Sequence, residues 1–255
     1  MKTISLQSGS NGNCFYIETE EIRLLIDAGI SGKAAQQRLA EHGRDIRDVD
    51  ALFVTHDHSD HSRSIGVFQR KFGIPIYTTP KTLAAIQQSG KVGLLNEVRF
   101  FEAGDVCTLG DVRVHSIPTP HDSADGVAFV VDDGRSRVGI LTDLGHVFDG
   151  LKEVLQTLDG VVLESNYDEQ MLESGPYPHH LKRRIRGIGG HISNREAAKL
   201  LNECSAKRLR WACLCHLSHE NNSPEIALRT HQAALQKSID LYVARRDACS
   251  AVMEL

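Results

Sequence analysis

A chain of 255 residues that is 41% hydrophobic is long enough to bury a sizeable core, so we expect a single domain over residues 1–255. Its formal charge of -4 and pI near 6.3 exclude the global basic excess of non-specific nucleic-acid binders, so a nucleic-acid partner requires a local basic patch. No run approaches the roughly 20 apolar residues of a membrane span, and no secretory signal is recognisable, so we expect a cytoplasmic protein.

The six cysteines are scattered without framework spacing, which in a chain of this size is typical of small buried hydrophobes and not of disulfides. They are Cys14, Cys107, Cys204, Cys213, Cys215 and Cys249. Several of the thirteen histidines, in contrast, lie in tight local groups. Because histidine is the commonest metal ligand in proteins, these groups are candidate metal sites.

Short strands separated by turns fill the first half of the chain. The predicted strands are Cys14 to Glu18, Arg23 to Asp27, Ala51 to Thr55, Val98 to Glu102, Val112 to Ile117 and Val127 to Val131. Segments with apolar residues at a period of about 3.6 predict helices between them. These helices are Ala34 to Glu41, Ser64 to Phe72 and Leu83 to Gln88.

The second half repeats this alternation of strands and helices, which indicates an α/β architecture. Its predicted strands are Val138 to Thr142, Val161 to Glu164, Leu209 to Cys215 and Leu241 to Ala244. Two helix starts carry specific signals: the segment from Ser193 to Glu196 fits a capping box, and Ser223 precedes Pro224 at a second cap. No linker rich in Gly, Ser or Pro divides the chain.

A dense cluster of metal-binding residue types follows the apolar run Ala51 to Val54. The segment Thr55-His56-Asp57-His58-Ser59-Asp60-His61 holds three imidazoles and two carboxylates within six residues. Without a cation these groups would repel one another, whereas divalent zinc or manganese favours such nitrogen and oxygen ligands. The alternative is an ordinary loop of surface histidines.

Three further strand ends carry similar residues. His121 follows the strand that ends at Ile117, Asp143 follows Thr142, and His216 follows Cys215. Ligands on separate strand ends that converge at one sheet edge make a site for two metals, which would activate water for hydrolysis at neutral pH. Cys213 and Cys215 are alternative thiolate ligands, but strand alternation places both opposite Leu214 and favours packing.

Together these motifs resemble the five ordered motifs of the metallo-β-lactamase superfamily over nearly the whole chain. The matching residues are Asp27, the His56 to His61 cluster, His121, Asp143 and His216. The resemblance implies a four-layer αββα sandwich with the metals on the shared edge of two sheets. It implies one metal at His56, His58 and His121, a second at Asp60, His61 and His216, a bridging Asp143, and an Asp27 that orients a ligand histidine. Zinc, manganese and iron all suit these ligands.

The superfamily hydrolyses lactams, thioesters, lactones and phosphodiesters and also hosts redox enzymes, so other residues must indicate the substrate. His191 lies just before a predicted helix whose first-turn amides would form an anion site. With Ser193 and Asn194 beside it, His191 would suit a phosphate and could protonate the leaving oxygen. In the alternative, Ser193 only caps the helix and His191 fills a turn.

The segments Glu164 to Tyr167 and Gly190 to Asn194 resemble the acidic and histidine motifs of the β-CASP nucleases and RNase J, which makes Glu164 a candidate for orienting a site histidine. The short stretch between them excludes the inserted β-CASP domain, so RNase J activity is not implied. A closer resemblance is to the bacterial YycJ (also WalJ) family, which implies a 5′-to-3′ DNA exonuclease with a role in DNA repair. The matching motifs are Ser8 to Asn13, Thr142 to Gly145, Gly175 to Pro178, Gly190 to Asn194, and His216 to Ser218 with Asn221-Asn222.

Two basic segments, 182–186 and 207–210, lie near the candidate site in sequence and provide a possible track for a DNA backbone. The alternative for each is a solvated helix face. The turn-rich segment Ser8 to Asn13 either approaches a phosphate with its amides or forms a plain hairpin turn.

The leading hypothesis is a two-metal phosphodiesterase that acts on DNA. A second hypothesis keeps the fold but assigns a small substrate, such as a cyclic phosphodiester or a thioester, because the chain is acidic and has no appended nucleic-acid domain. A third is a metal-stabilised binding protein without turnover, which the presence of every expected ligand disfavours. The sequence leaves the oligomeric state open.

Overall fold

Fourteen strands run through the part of the chain that the structure, a computed structural model, describes: residues 1–90, 92–204 and 208–255. In chain order they are β1 Lys2–Gln7, β2 Cys14–Glu18, β3 Arg23–Ile26, β4 Ala51–Phe53, β5 Ile76–Thr78, β6 Val98–Phe100, β7 Val106–Leu109, β8 Val112–Pro118, β9 Val127–Asp132, β10 Arg137–Leu141, β11 Gly160–Glu164, β12 Trp211–Cys215, β13 Asp240–Val243 and β14 Met253–Glu254. Lys207 of the second basic segment and the side chain of Cys204 lie outside the described residues.

Helices connect the strands, and two of them begin at the predicted caps. The helices are α1 Gly32–Glu41, α2 Ser59–Ser62, α3 Ile65–Phe72, α4 Pro80–Gln88, α5 Leu151–Gln156, α6 Glu169–Ser174, α7 His179–Arg186, α8 Asn194–Cys204 and α9 Pro224–Ala234, with a 3₁₀ turn at Ile46–Asp48. The capping box before α8 is confirmed: the Ser193 amide donates to Glu196 Oε2 over 2.8 Å, and the Glu196 amide donates to Ser193 Oγ over 3.2 Å. Across the described residues, no helix has the length and apolar character needed to cross a membrane.

The strands form two seven-stranded sheets of the same design. The first has the order β14-β1-β2-β3-β4-β5-β6, antiparallel as far as β3 and parallel from β3 to β6. The second has the order β13-β12-β11-β10-β9-β8-β7, antiparallel from β7 to β10 and parallel from β10 to β13. The parallel strands within each sheet end at the same edge, so residues that follow them are brought together.

Three apolar layers confirm the predicted αββα sandwich. Between the sheets, Phe53 of β4 packs edge-on against Phe129 of β9 with ring centroids 5.4 Å apart. Helices α1, α3 and α4 bury apolar side chains, such as Leu39, against the outer face of the first sheet. Helices α5, α8 and α9 do the same, for example through Leu155, on the second.

The predicted strands and helices are present with shifted ends, and two of the missed strands have local explanations. The strand predicted to Asp27 ends at Ile26, because Asp27 adopts a left-handed backbone conformation with φ 65°. Strand β1 was missed because Thr3 and Ser5, although polar, are fully buried. The strand β5 has only three residues and lies between two prolines. Elements β7, β14, α2, α5, α6 and α7 were also missed.

The packing role predicted for Cys213 and Cys215 is confirmed. Both side chains are fully buried in the layer between the sheets, whereas Leu214 faces the helices. Burial raises the pKa of Cys213 to about 12 and raises the pKa of Cys215 well above its usual value, so both remain thiols. The cysteines whose side chains are described, Cys14, Cys107, Cys213, Cys215 and Cys249, are free of disulfides.

Candidate metal centre

The candidate ligands meet at one end of the sandwich because each follows or ends a strand that is buried between other strands. The first sheet provides Asp27 after β3 and the cluster that begins at His56 after β4. The second sheet provides His121 after β8, Asp143 after β10, Glu164 at the end of β11 and His216 after β12. Asp60 and His61 lie in the short helix α2, whose turn points both side chains back toward the strand ends.

Three of these residues adopt left-handed backbone conformations: Asp27 with φ 65°, Asp143 with φ 51° and His216 with φ 54°. Within the described residues, no other non-glycine position has a positive φ. Such a conformation costs about 1–2 kcal/mol per residue, and surrounding contacts must hold it. The backbone therefore turns sharply at three strand ends and directs these side chains into the shared site.

The first group of ligand atoms belongs to His56, His58 and His121, and its atoms all lie within 4.8 Å of one another. His121 Nδ1 donates to the Gly190 carbonyl over 2.8 Å, which leaves Nε2 directed at the group, 3.3 Å from His58 Nδ1. His56 Nδ1 lies 2.9 Å from Thr55 Oγ1, while its Nε2 is buried without a hydrogen-bond partner among the described residues. This buried nitrogen is therefore available to coordinate a metal ion.

The second group is formed by Asp60, His61 and His216. Asp60 Oδ2 lies 3.3 Å from His216 Nε2 and 3.6 Å from His61 Nε2. Donor atoms around a tetrahedral zinc ion with bonds of about 2.0–2.1 Å are roughly 3.4 Å apart. The spacing within this group therefore fits a divalent metal ion.

Asp143 lies between the two groups. Its Oδ2 is 3.0 Å from His61 Nε2 of the second group, and its Oδ1 is 3.6 Å from His121 Nε2 of the first. The carboxylate is 3% exposed, so it has no solvent to satisfy it. The same Oδ1 lies 3.3 Å from His216 Nδ1 of the second group, so the carboxylate contacts both groups, and its bridging role stays a prediction.

Two further buried carboxylates accept hydrogen bonds from histidines of the site. Asp27 Oδ2 accepts from His61 Nδ1 over 2.6 Å, and both side chains are fully buried. Glu164 Oε1 accepts from His191 Nδ1 over 2.6 Å and lies 3.6 Å from His216 Nδ1. A carboxylate that accepts from one ring nitrogen fixes the tautomer and orientation of the histidine. The roles of Asp27 and Glu164 in orienting histidines of a metal site stay predictions.

The electrostatics of the cluster favour a cation. Burial opposes the charged form of His216, but the Asp143 carboxylate and a hydrogen bond to Asp60 raise the pKa of His216 to about 10. Burial likewise opposes charge on His61, yet Asp27 and Asp143 raise the pKa of His61 well above its usual value. Burial, reinforced by His61, holds the pKa of His56 well below its usual value. In the metal-free protein, protons bound to His61 and His216 therefore balance the charge of the carboxylates. Divalent ions would replace these protons.

His191 lies inside this site, but Ser193 and Asn194 do not face it. His191 Nδ1 is 3.3 Å from Asp143 Oδ1, close enough that Asp143, Glu164, His191 and His216 form a further group of possible ligands. Ser193 and Asn194 are buried, and the Asn194 amide donates to the Tyr167 carbonyl over 2.8 Å. The Ser193 amide is also bonded, to Glu196. The amides of Ser193 and Asn194 therefore already have internal acceptors, and phosphate binding at this helix start stays a prediction.

A cavity of about 220 Å³ adjoins the ligands. His58, Asp60 and His216 line one side, and Tyr177, Leu181 and Arg184, from α7 and the loop before it, line another. The Arg184 guanidinium forms two hydrogen bonds, of 2.6 and 2.9 Å, with the carboxylate of Asp122, the neighbour of His121. Sequence patterns gave no reason to select Tyr177, Leu181 or Arg184 individually.

The two basic segments have different positions. In the first, Lys182 and Arg186 bond to α6, whereas Arg183 is exposed and has no ion-pair partner among the described residues. In the second, Arg208 pairs with Asp159 at the start of β11. Residues 208–210 precede β12, so the length of that strand separates them from His216. The DNA track suggested for this segment stays a prediction.

The loop between β1 and β2, Ser8 to Asn13, contacts the ligands directly. The Asn13 amide nitrogen Nδ2 is 2.9 Å from His61 Nε2, and Ser8 Oγ accepts from the His216 backbone amide over 2.8 Å. Asn13 Oδ1 accepts from the Gly9 amide over 2.9 Å. The loop is thus a hairpin connection that also supports two ligand histidines.

The fold and the ligand groups define a metal-binding protein with the ligand arrangement of a two-metal hydrolase. The sequence model of the metallo-beta-lactamase superfamily matches residues 8–174. The crystal structure of the metallo-beta-lactamase fold protein YhfI from Bacillus subtilis matches this chain with a TM-score of 0.74 at 19% identity, covering 100% of both chains. That likeness confirms the fold.

Two relatives narrow the assignment. The exodeoxyribonuclease YycJ of Bacillus anthracis is 36% identical over 232 residues, 91% of this chain and 88% of that protein. The exodeoxyribonuclease WalJ of Streptococcus pneumoniae is 40% identical over 229 residues, 88% of this chain and 84% of that protein. The chain belongs to the metallo-β-lactamase superfamily and, within it, to the family that contains YycJ and WalJ.

Proposed function

We propose that this protein is a two-metal phosphodiesterase that removes nucleotides from DNA in the 5′-to-3′ direction, with a role in DNA repair. One observation carries the proposal: the Asp143 carboxylate lies within 3.6 Å of histidine nitrogens from both ligand groups, His121 of the first and His61 and His216 of the second. The names of the relatives YycJ and WalJ, both exodeoxyribonucleases, support DNA as the substrate. The proposal treats residues 1–255 as one hydrolase domain, and a cytoplasmic location stays a prediction from the sequence.

His56, His58 and His121 would hold one divalent ion, and Asp60, His61 and His216 a second, with Asp143 shared. We propose zinc or manganese, and iron suits the same ligands. When bound, such ions supply Lewis acidity toward phosphoryl oxygens and lower the pKa of water to near neutrality.

The chain's own residues would then orient the substrate and move protons. Glu164 holds His191 Nδ1, so the ring lies in the cavity beside the ligands with Nε2 unbonded within the described residues. We assign Nε2 of His191 to the phosphate or its leaving oxygen, to which a protonated ring would donate. Asp27 would fix the ligand histidine His61, and Glu164 would fix His191. Asp60 and Asp143 would be essential because they balance the charge of the ions.

Metal analysis of protein purified without chelator, followed by digestion of end-labelled DNA, tests this proposal. We expect two divalent ions per chain, release of a 5′ label ahead of internal nucleotides with manganese or zinc added, and loss of activity after chelation. Hydrolysis of bis(p-nitrophenyl) phosphate should accompany it. Absence of cleavage of either substrate by fully metallated protein would overturn the proposal.

The small volume of the cavity, about 220 Å³, favours one competing function, hydrolysis of a small cyclic phosphodiester or thioester. It is below the roughly 300–1,000 Å³ of typical ligand pockets. Turnover of small diesters that exceeds turnover of DNA by orders of magnitude would favour this function over the exonuclease.

A further inference from the structure

A second cavity, of about 860 Å³, opens beside the cavity at the metal ligands. Ser218 lines both, and Ser10 of the first is followed directly by Asn11 of the second. The walls of the second cavity include the apolar side chains of Leu217 and Val243 and the polar side chains of Asn11 and Arg246. A chain-like substrate bound at the metal ligands would continue into this space.

Arg246 lies at the boundary between the two cavities. Its Nη1 is 3.4 Å from Ser10 Oγ and 3.5 Å from the carbonyl oxygen of Leu217, the residue after His216. Both contacts are long and both partners are uncharged, and within the described residues Arg246 has no carboxylate partner. Its neighbour Arg245, in contrast, forms an ion pair with Asp247 at 3.1 Å.

Arg246 is partly buried as a residue, its guanidinium contact with Ser10 is exposed to solvent, and within the described residues it has no acidic partner. An arginine side chain has five N–H donors in a planar fork that matches phosphate geometry. A fork with unused donors is therefore suited to an anionic ligand, and its location beside Ser10 places such a ligand next to the cavity at the metal ligands.

The loop between β1 and β2 is shaped around Arg246. Gly9 has φ 134°, and a Cβ at that position would lie 2.9 Å from Arg246 Nη1 and 3.3 Å from its Cγ. Any side chain there would displace the guanidinium. Asn11 Nδ2 donates to the Arg246 carbonyl over 2.9 Å, which ties the loop to the segment after β13. These contacts join residues more than 230 positions apart at the rim of the site.

We propose that Arg246, with Ser10 and Asn11, binds a phosphate of the DNA strand next to the scissile one, and that the second cavity takes the nucleoside attached to it. This inference rests on the proposed function, because the DNA strand that the proposed exonuclease cleaves presents a second phosphate one nucleotide from the scissile one. The ligand class is a single DNA strand, because the guanidinium binds a phosphate and the apolar walls of the second cavity suit a base.

Binding of a non-cleavable single-stranded phosphorothioate oligonucleotide to the metal-loaded protein, measured by fluorescence anisotropy over a range of salt, tests the assignment. We expect Arg246→Gln to weaken binding by about 10-fold to 100-fold and to reduce the salt slope by about 0.7. Arg135→Gln is the matched control, because it removes the same charge from an exposed pair with Glu20 at the opposite end of the sandwich. Its affinity and slope should equal those of the wild type.

Oligonucleotides with one neutral methylphosphonate locate the contact. Neutralising the phosphate next to the scissile position should weaken wild-type binding but leave binding to Arg246→Gln unchanged. Arg246→Lys should retain the salt slope while losing part of the affinity. If Arg246→Gln loses metal or thermal stability, the lysine variant tests the assignment in its place. If both variants bind like Arg135→Gln, or lose affinity equally at every methylphosphonate position, the assignment is wrong. If wild-type protein neither binds nor cleaves DNA, the proposed function itself fails.

Discussion

Both ends of the sandwich carry a cavity rich in acidic residues, yet they hold those residues differently. At the metal-ligand end, Asp27 and Asp143 are at most 3% exposed and lie within 3.0 Å of a histidine nitrogen. At the opposite end, Glu20, Asp133 and Arg135 surround a cavity of about 240 Å³, and the ion pair between Glu20 and Arg135 has side chains 80% and 75% exposed.

Strand connections cause this difference. The opposite end is built from tight antiparallel turns, such as residues 19–22 between β2 and β3, which leave charged side chains in water. The ligand end follows buried strands that stop at residues in left-handed conformations, which turn side chains inward. A site therefore depends on burial and direction, and the number of acidic residues alone does not make one.

The largest effect should come from Asp143. Replacing it with Ala or Asn should abolish hydrolysis of DNA and of the nitrophenyl diester and lower the metal content, because one carboxylate faces both ligand groups. Asn tolerates the left-handed backbone, so it removes the charge with little strain.

Asp60→Ala should also abolish activity. As a control, Asp133→Asn at the opposite end should leave turnover and metal content unchanged. An Asp143 variant that retains two metals and wild-type turnover would show that Asp143 does not bridge the two ions.

His191→Ala should reduce turnover of DNA by about 10²-fold to 10⁴-fold, as expected for a general acid, while two metals remain bound. If His191 mainly protonates the leaving group, the loss should be smaller on bis(p-nitrophenyl) phosphate, whose leaving group needs little protonation. Steady-state kinetics on both substrates with metal analysis provide the measurement. A variant that loses a metal ion would instead make His191 a ligand, which its distance of 3.3 Å from Asp143 Oδ1 allows.

The stability of the metal-free protein should depend on pH through the ligand end. His216 has a pKa of about 10 in the folded protein and about 6.5 when unfolded. Its proton therefore stabilises the fold fully below about pH 6.5, and this contribution is lost as the pH rises towards 10. Urea denaturation of chelator-treated protein should show a falling free energy of unfolding over this range. Asp143→Asn should flatten the slope, and a slope that persists unchanged in that variant would assign it elsewhere.

The smallest effect should come from the exposed end. Glu20→Gln breaks the ion pair with Arg135, but exposed pairs contribute little, so the melting temperature should change by less than about 2 °C. Scanning calorimetry on the metal-loaded protein checks this. A loss of many degrees would mean that the cavity at this end also holds a structural ligand, and the contrast between the two ends would fail.

Local patterns in the sequence determined much of this protein. Apolar runs such as Ala51 to Val54 marked buried strands, and polar clusters directly after them marked the ligand positions. The caps at Ser193 and Ser223 were also predictable, because a cap involves residues only three positions apart. The α/β class and the candidate ligands at strand ends follow from such short-range patterns. The αββα arrangement and the division of the ligands between two metals were implied by the resemblance to the metallo-β-lactamase superfamily.

The tertiary structure decided which groups meet and which are already bonded. The Tyr167 carbonyl and the Glu196 carboxylate accept from the amides of Asn194 and Ser193, so these two amides are not free to bind an anion, although the sequence around both is typical of an anion site. The length of β12 removes residues 208–210 from the site, despite their proximity in sequence. Arg246 approaches Ser10 across 236 positions. These contacts depend on sheet order and on the backbone turns at strand ends, and no local periodicity encodes either.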